Sequence, residues 1–403
     1  MKYVVIRCED QARGGAAVAP LLAGARLTHL QQLAKAAAAG TIRPRQRPRS
    51  ARWGKAARPT PLDRIQLHRA MFGLPAADPN AAPGRCYAAS INLNVTPEET
   101  VWCCELLTQH EGRVVDATAG QITTRESEVL IHALEDALGS ETRRWEVGEG
   151  SHHLLIASDP AYRPGARTSI SSPQQLIGDA WDRHLPSGAL GDSLHALIAH
   201  ATQVLEAHPI NRVRIDLGEN PANLLWLWGS APAAARTNFR QRSGLSGAVL
   251  STDFLLRGLA RLLDLEWRPG PAALEEQPLL ALRRAIDELS EQHDYVYVHL
   301  PIAASEPVER QCAMERIDQL ILKPLAQRAG RDAAALRVAG LIDDRSSGCV
   351  CVVAVGEGLP PQPVISLSAA HLADSPLAFE DGAALFEWLT HPAASSPETC
   401  RNG

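Results

Sequence analysis

Residues Asn220–Gly229 read NPANLLWLWG and place two of the chain's eight tryptophans, Trp226 and Trp228, two positions apart. Only 4% of the 403 residues are aromatic, so composition alone does not produce this cluster. The segment is otherwise apolar, which gives the two indoles a packing role: they are expected to face the core and the domain junction.

Outward from this stretch, strands and helices alternate. Tyr3–Ile6 is a short apolar run that predicts a strand, and Leu27, Leu30, Leu33 and Ala34 recur at helical spacing over 27–39. Residues 41–58 carry seven Arg/Lys, two prolines and no acid, which predicts an exposed loop. Arg64–Met71 reads as a helix. Val101–Leu107 and Val114–Ala119 read as a hairpin, and Thr123 with Glu126 forms a capping box that opens a helix on Val129, Leu130, Ala133, Leu134 and Leu138. Trp145–Ser158 reads as one strand, Leu190–His208 as an amphipathic helix and Arg212–Leu217 as a strand. Later, a helix is expected at 276–291, strands at Tyr295–Leu300, Arg337–Ile342 and Cys349–Val355, and a helix from Val308 that ends before Pro324. Such alternation predicts a mostly parallel sheet covered on both faces, with ligands at the carboxyl ends of strands, near Cys8, Leu300 and Asp343.

The chain is longer than one domain of about 100–200 residues, so two are expected. A hydrophobic fraction of 45% and a net charge of −5 fit an ordinary globular protein and exclude a globally basic nucleic-acid binder. The opening run before Arg7 is too short for a signal-peptide core, and no apolar run approaches the roughly 18 residues of a membrane span. A cytoplasmic protein with no membrane partner is expected. The eight cysteines include no C-x-x-C pair, so reduced, mostly buried thiols are expected.

The NPANLLWLWG stretch resembles the PAN-x-(I/L)-W-x-W-G signature of the archaeal-type cofactor-independent phosphoglycerate mutases, members of the alkaline phosphatase superfamily. The resemblance extends through KYVVI, LTHLQQLAKA, HRAMFGL, VVDATAGQIT, SHHLLI, HPINRVR, SGAVLSTDFLLRGLA, DYVYVH and ERIDQLI. It implies an α/β fold: an alkaline-phosphatase-like, mostly parallel sheet core covered by helices, formed by residues 1–87 and 226–403, with a smaller α+β cap inserted at 88–225. In active members two divalent cations and a serine sit at the core strand ends, where the serine takes and returns a phosphoryl group. Hard cations neutralise phosphate charge and acidify a bound hydroxyl.

Position by position, the site implied by the resemblance is altered. The Gly-Asp-Gly metal motif is matched by Cys8-Glu9-Asp10, which leaves Glu9 as the candidate ligand. The Pro-Gly-Ser-Asp nucleophile motif is matched by Pro59-Thr60-Pro61-Leu62-Asp63, which leaves Thr60 as the candidate nucleophile. After His299 the family's Asp-x-x-x-His pair is replaced by Leu300–Ser305. The following Asp-His pair becomes Asp343-Asp344, and the later His-x-x-Asp-Pro run has no counterpart. Glu9, Asp343 and Asp344 are thus the candidate metal ligands, a carboxylate set without imidazoles. In the cap, His153 matches a substrate-side histidine, and Arg58, in the basic loop ahead of the nucleophile position, can hold a phosphate electrostatically.

Three readings follow. In the first, the chain is catalytically degenerate, needs no cofactor and binds a small phosphorylated metabolite or a protein partner. In the second, it is an active phosphotransferase, a mutase or phosphatase, using Mn, Zn or Mg at a rearranged mononuclear site of Glu9, Asp343 and Asp344 with Thr60 or His299. In the third, loop 41–58 engages a nucleic acid or another polyanion, with Trp53 as its only stacking surface.

Overall fold

A computed structural model of the protein describes residues 1–11, 21–42, 61–74, 82–165, 168, 170–232, 237–304, 306–331, 335–344 and 349–392. The chain divides into two compact units. One comprises Met1–Arg58, Gln66–Ala76 and Thr237–Gly403, and the other Pro59–Ile65 and Ala77–Arg236.

The first unit is built on eight strands: β1 (Lys2–Asp10), β2 (Ala38–Ile42), β8 (Gly247–Ser251), β9 (Glu266–Pro269), β10 (Tyr295–Ile302), β11 (Leu336–Asp344), β12 (Cys349–Gly356) and β13 (Ala378–Phe379). Their spatial order is β13-β2-β12-β11-β1-β10-β8-β9. Every neighbouring pair is parallel except the two made by β12, which runs antiparallel to both β11 and β2.

Alternation along the central strands separates two chemistries. Val4, Ile6 and Cys8 of β1 join Val296, Val298 and Leu300 of β10 in an apolar core with Leu30, Leu279, Ile286 and Met314 from covering helices. The intervening residues Tyr3, Arg7 and Glu9 of β1 and Tyr295, Tyr297 and His299 of β10 face the other side. There Phe72 meets Tyr295 and Tyr297 edge-on, with ring centroids 5.9 and 5.4 Å apart. The sheet is therefore covered twice, as the alternation of strands and helices implies, and its second face is the polar one.

The second unit holds β3 (Thr100–His110), β4 (Arg113–Asp116), β5 (Arg143–Glu149), β6 (His152–Ala157) and β7 (Leu224–Pro232). All pairings are antiparallel: β3 takes β6 along one edge and β7 along the other, and its last residues turn back onto β4. Helices Thr124–Leu138 and Ala189–Ala207 cover one face. Their Leu130, Leu134, Leu194 and Leu205 join Trp102, Cys104, Leu155, Leu225 and Leu227 in one core. The capping box at Thr123 and Glu126 is present.

Trp226 and Trp228 lie on the opposite face of β7 from Leu225 and Leu227. Both are buried, and the Trp226 indole donates to the Ser171 carbonyl at 2.9 Å. The glycine that ends the motif has φ +57, and a Cβ there would stand 3.0 Å from Pro83 and 3.3 Å from the Cys103 sulfur. Strand β7 as a whole, including Trp226–Pro232, pairs with β3.

Several local expectations are corrected. Arg212–Leu217 is not a strand: Pro209–Asp216 forms a helix, with Pro209 in its first turn and the His208 side chain accepting from the Ile210 amide. Trp145–Ser158 is two strands, β5 and β6, folded back at Gly150, whose φ of +60 permits the turn. The expected helix over 27–39 stops at Ala36 and gives way to β2, so Thr41 and Ile42 are strand rather than loop. The helix that begins at Pro307 continues beyond Pro324. A π-helical stretch, Asp318–Leu322, intervenes before the helix Lys323–Ala329, and the missing proline N–H falls in the first turn of that helix, where no intrahelical partner is required. The buried Asp318 carboxylate also accepts the His29 and Leu30 amides at 3.0 and 2.9 Å. It caps a helix, Thr28–Ala36, that has no side-chain cap of its own.

Candidate functional site

The carboxyl ends of β1, β10 and β11 bring a cluster of charged side chains together in the first unit. Arg7 and Glu9 are two apart on β1 and share a face. In register, Arg7 lies between Leu341 of β11 and His299 of β10. The buried Arg7 guanidinium donates to Asp343 Oδ2 at 2.8 Å.

Burial disfavours the charge on Arg7, yet Asp343 beside it, with Tyr297 and Glu9 adding, more than offsets this, and the net effect raises its affinity for the proton. Burial likewise pushes the Asp343 carboxyl above its ordinary value; Arg7 opposes this and Glu9 adds to it. The other carboxylate oxygen, Oδ1, is buried without a hydrogen-bond partner. On the opposite face of β1, Asp10 receives both bonds of a bidentate pair from Arg310 Nη1, at 3.1 and 2.9 Å, and both side chains are buried.

Glu9 meets imidazoles instead. Its Oε2 lies 2.8 Å from His299 Nε2 and accepts from Gln11 Nε2 at 3.0 Å. His299 Nδ1 is 3.1 Å from Ser251 Oγ. His68, on the helix Pro61–Ala70, places its ring edge-on to His299 with centroids 4.7 Å apart, and its Nδ1 is 3.0 Å from the Tyr297 hydroxyl. Burial, which disfavours the phenolate, raises the pKa of that hydroxyl, with Arg7 opposing. One ligand atom each from Glu9, His68 and His299 lies within 4.8 Å of the others, and all three residues are buried.

Each expected site residue can now be placed. Glu9 is at the site. Asp343 is there also, held by Arg7. Asp344 ends β11 opposite Cys349, and its side chain lies outside the described residues. So do Thr60, Arg58 and the rest of the basic loop from residue 43 to 58. His153 is in the second unit, on β6, and fully buried. It is in register with Cys104, its Nδ1 accepts the Gly148 amide at 3.0 Å, and its Nε2 is buried with no partner. Burial, reinforced by His152, pushes its pKa down to about 3, with a Gly150 backbone contact opposing.

The expectation of a carboxylate set without imidazoles is corrected, since two histidines adjoin Glu9. Sequence reasoning passed over His68, Arg7, Arg310 and Ser251. The available signals were a charge inside the apolar run of β1 and a histidine opening HRAMFGL.

The resemblance implies two divalent cations, and the donor set does not suit two. Among the described residues Asp10 faces away on β1 and one oxygen of Asp343 is engaged by Arg7, and the donors that converge are one carboxylate and two imidazoles, enough for a single ion.

A family model described as 2,3-bisphosphoglycerate-independent phosphoglycerate mutase matches residues 68–211. That span includes His68 and His153 but none of the strand ends that carry Glu9, His299 and Asp343. A phosphoglycerate mutase of this type from Methanosarcina acetivorans is 31% identical over 249 residues, which is 60% of this chain and 62% of that protein. The chain thus aligns with less than two thirds of this relative's length. A probable mutase of the same type from Geobacter sulfurreducens is 31% identical over 54% of this chain and 57% of its own.

Among solved structures, the cofactor-independent phosphoglycerate mutase of Thermoplasma acidophilum superposes with a TM-score of 0.58 at 19% identity, covering 98% of this chain and 100% of that one. A Pyrococcus horikoshii protein gives 0.69 at 16% identity, covering 96% of both. At such identities the likeness is one of fold, and it supports the alkaline-phosphatase-like α/β core. Over the residues they cover, the family model and the relatives make this chain similar to the 2,3-bisphosphoglycerate-independent phosphoglycerate mutases.

Proposed function

We propose that this chain has kept the family fold and lost its two-cation phosphoryl-transfer chemistry, and that it acts as a binding or regulatory protein whose ligand is a small phosphorylated metabolite or a protein partner. The observation that carries this reading is the buried ion pair at the strand ends, Arg7 with Asp343, an acid at a position matched to a family ligand. Phosphoryl transfer needs cations that neutralise the migrating group and acidify the nucleophile. A guanidinium balances a carboxylate permanently but offers no open coordination position, and it does not acidify a hydroxyl. With the family's other ligand motifs replaced in sequence, the charge needed for transfer is not assembled.

The test is an assay for interconversion of 3- and 2-phosphoglycerate and for phosphatase activity, with Mn, Zn or Mg added. Turnover no greater than buffer background is expected. The second reading, a metal-dependent mutase or phosphatase with a rearranged site, is favoured by the convergence of Glu9, His68 and His299. Turnover that disappears in both Glu9→Gln and Asp343→Asn would establish it and overturn the first.

A further inference from the structure

Outside any two-cation scheme, the convergence of Glu9, His68 and His299 has a chemistry of its own. The three come from separate elements: the end of β1, the helix Pro61–Ala70 and the end of β10. Fractional exposures of 6%, 3% and 0% put them where water is scarce and an unbalanced carboxylate is costly. Two neutral imidazoles and one carboxylate are the donor set that borderline divalent ions such as zinc and cobalt take in preference to magnesium or calcium.

Each ring is also oriented from behind. Tyr297 OH lies on His68 Nδ1 and Ser251 Oγ on His299 Nδ1. Outer hydrogen bonds of this kind fix a ligating histidine's tautomer and present its other nitrogen to an ion.

We propose that Glu9, His68 and His299 form a mononuclear site for a zinc-class divalent cation, with Ser251 as the residue that holds the His299 ring through Nδ1 in either tautomer. In the metal-free protein the 2.8 Å contact has His299 Nε2–H donating to the Glu9 carboxylate, and Nδ1 accepts from the Ser251 hydroxyl. To bind an ion, Nε2 must present its lone pair. The ring proton then moves to Nδ1 and is donated to Ser251 Oγ, which has a lone pair to spare although it already accepts the Asp253 amide. No net proton is released if the ring starts neutral. The site is independent of whether turnover survives, because the geometry demands neither a nucleophile nor a phosphate.

Full-length protein, stripped with a chelator, is titrated with zinc and separately with cobalt. Bound metal is measured by mass spectrometry after dialysis, and the cobalt visible spectrum is recorded. The expected result is one ion per chain, a raised melting temperature, and a cobalt band intensity of a low-coordinate site. Glu9→Gln should lose the ion. Ser251→Ala, which removes no ligand, should weaken binding by about tenfold or more, the size of outer-hydrogen-bond effects. Because buried substitutions can unfold a chain, circular dichroism is run on each variant. His299→Cys supplies a second test within a folded chain, since cobalt bound there must show a new sulfur-to-cobalt charge-transfer band. Less than a tenth of an ion per wild-type chain, or cobalt spectra unchanged in His299→Cys, overturns the proposal. An unaltered affinity in folded Ser251→Ala overturns the role assigned to Ser251.

Discussion

Acidification should destabilise this protein through His153, and the size of the effect can be worked from its surroundings. The imidazole is fully buried and in register with Cys104, on the sheet face that Leu130 and Leu194 cover. Nδ1 is occupied by the Gly148 amide, so a second proton would put a full charge into an apolar core without a counterion. Burial, with His152 adding to it, lowers the pKa to about 3. The unfolded chain takes up the proton near 6.5.

Between these values the unfolded state binds the extra proton and the folded state does not, so stability is fully present above 6.5 and is lost as pH falls. At pH 5 the offset is about 1.5 pH units, or about 2 kcal/mol at 1.36 kcal/mol per unit. The comparison is urea denaturation of wild type and His153→Asn at pH 7 and pH 5, with asparagine keeping an acceptor for Gly148. Other titrating groups contribute to both proteins, and the difference between their pH dependences isolates His153. The wild type should lose about 2 kcal/mol more than the variant on going to pH 5. Parallel losses in both proteins would refute the reasoning and mean that the folded ring accepts a proton as readily as the unfolded one.

Two further substitutions test packing and charge. Trp226→Ala removes a fully buried indole together with its bond to the Ser171 carbonyl, and should cost about 3–5 kcal/mol in chemical denaturation; an effect near zero would show that the motif is not structural. Arg7→Met leaves the Asp343 carboxylate buried without its cation and should cost about 3–5 kcal/mol. Adding Asp343→Asn should recover much of that loss, whereas an additive loss in the double variant would show that the pair is not coupled.

The central strands are legible in the sequence because a strand buried in a parallel sheet has to be apolar and β-branched, as Tyr3–Ile6 and Tyr295–Leu300 are. The errors have local causes. RVRIDL over 212–217 alternates like a strand, but Pro209 and the His208 side chain organise a helix start just upstream, a signal that outweighs the alternation. Pro324 reads as a helix stop only if the preceding turn is α, and here that turn is π-helical.

The candidate site is harder to read for a different reason. Glu9, His68 and His299 meet only because β1 and β10 are neighbours and a helix is folded over their polar face. No spacing rule covers ligands so far apart in sequence. Glu9 was visible as a strand-end acid matched to a motif and His299 as a histidine at a strand end, whereas His68 lay in a helical run whose role the pairing of strands then defines.

The same two-faced construction separates the residues that stabilise the sheet from those that carry charge. The stabilising apolar residues, Val4, Ile6, Val296 and Val298, point away from Arg7, Glu9 and His299, so substitutions on the polar face leave the core packing of those strands intact. What they cannot leave unbalanced is charge. Carboxylates gathered at strand ends repel one another in a poorly solvated place and need a counterion. In an active relative a cation can serve. Here Arg7 and Arg310 serve Asp343 and Asp10 with covalently attached charge. Balancing those two acids from within makes their folded arrangement independent of any metal supply. Glu9, by contrast, meets the buried imidazole of His299 at 2.8 Å.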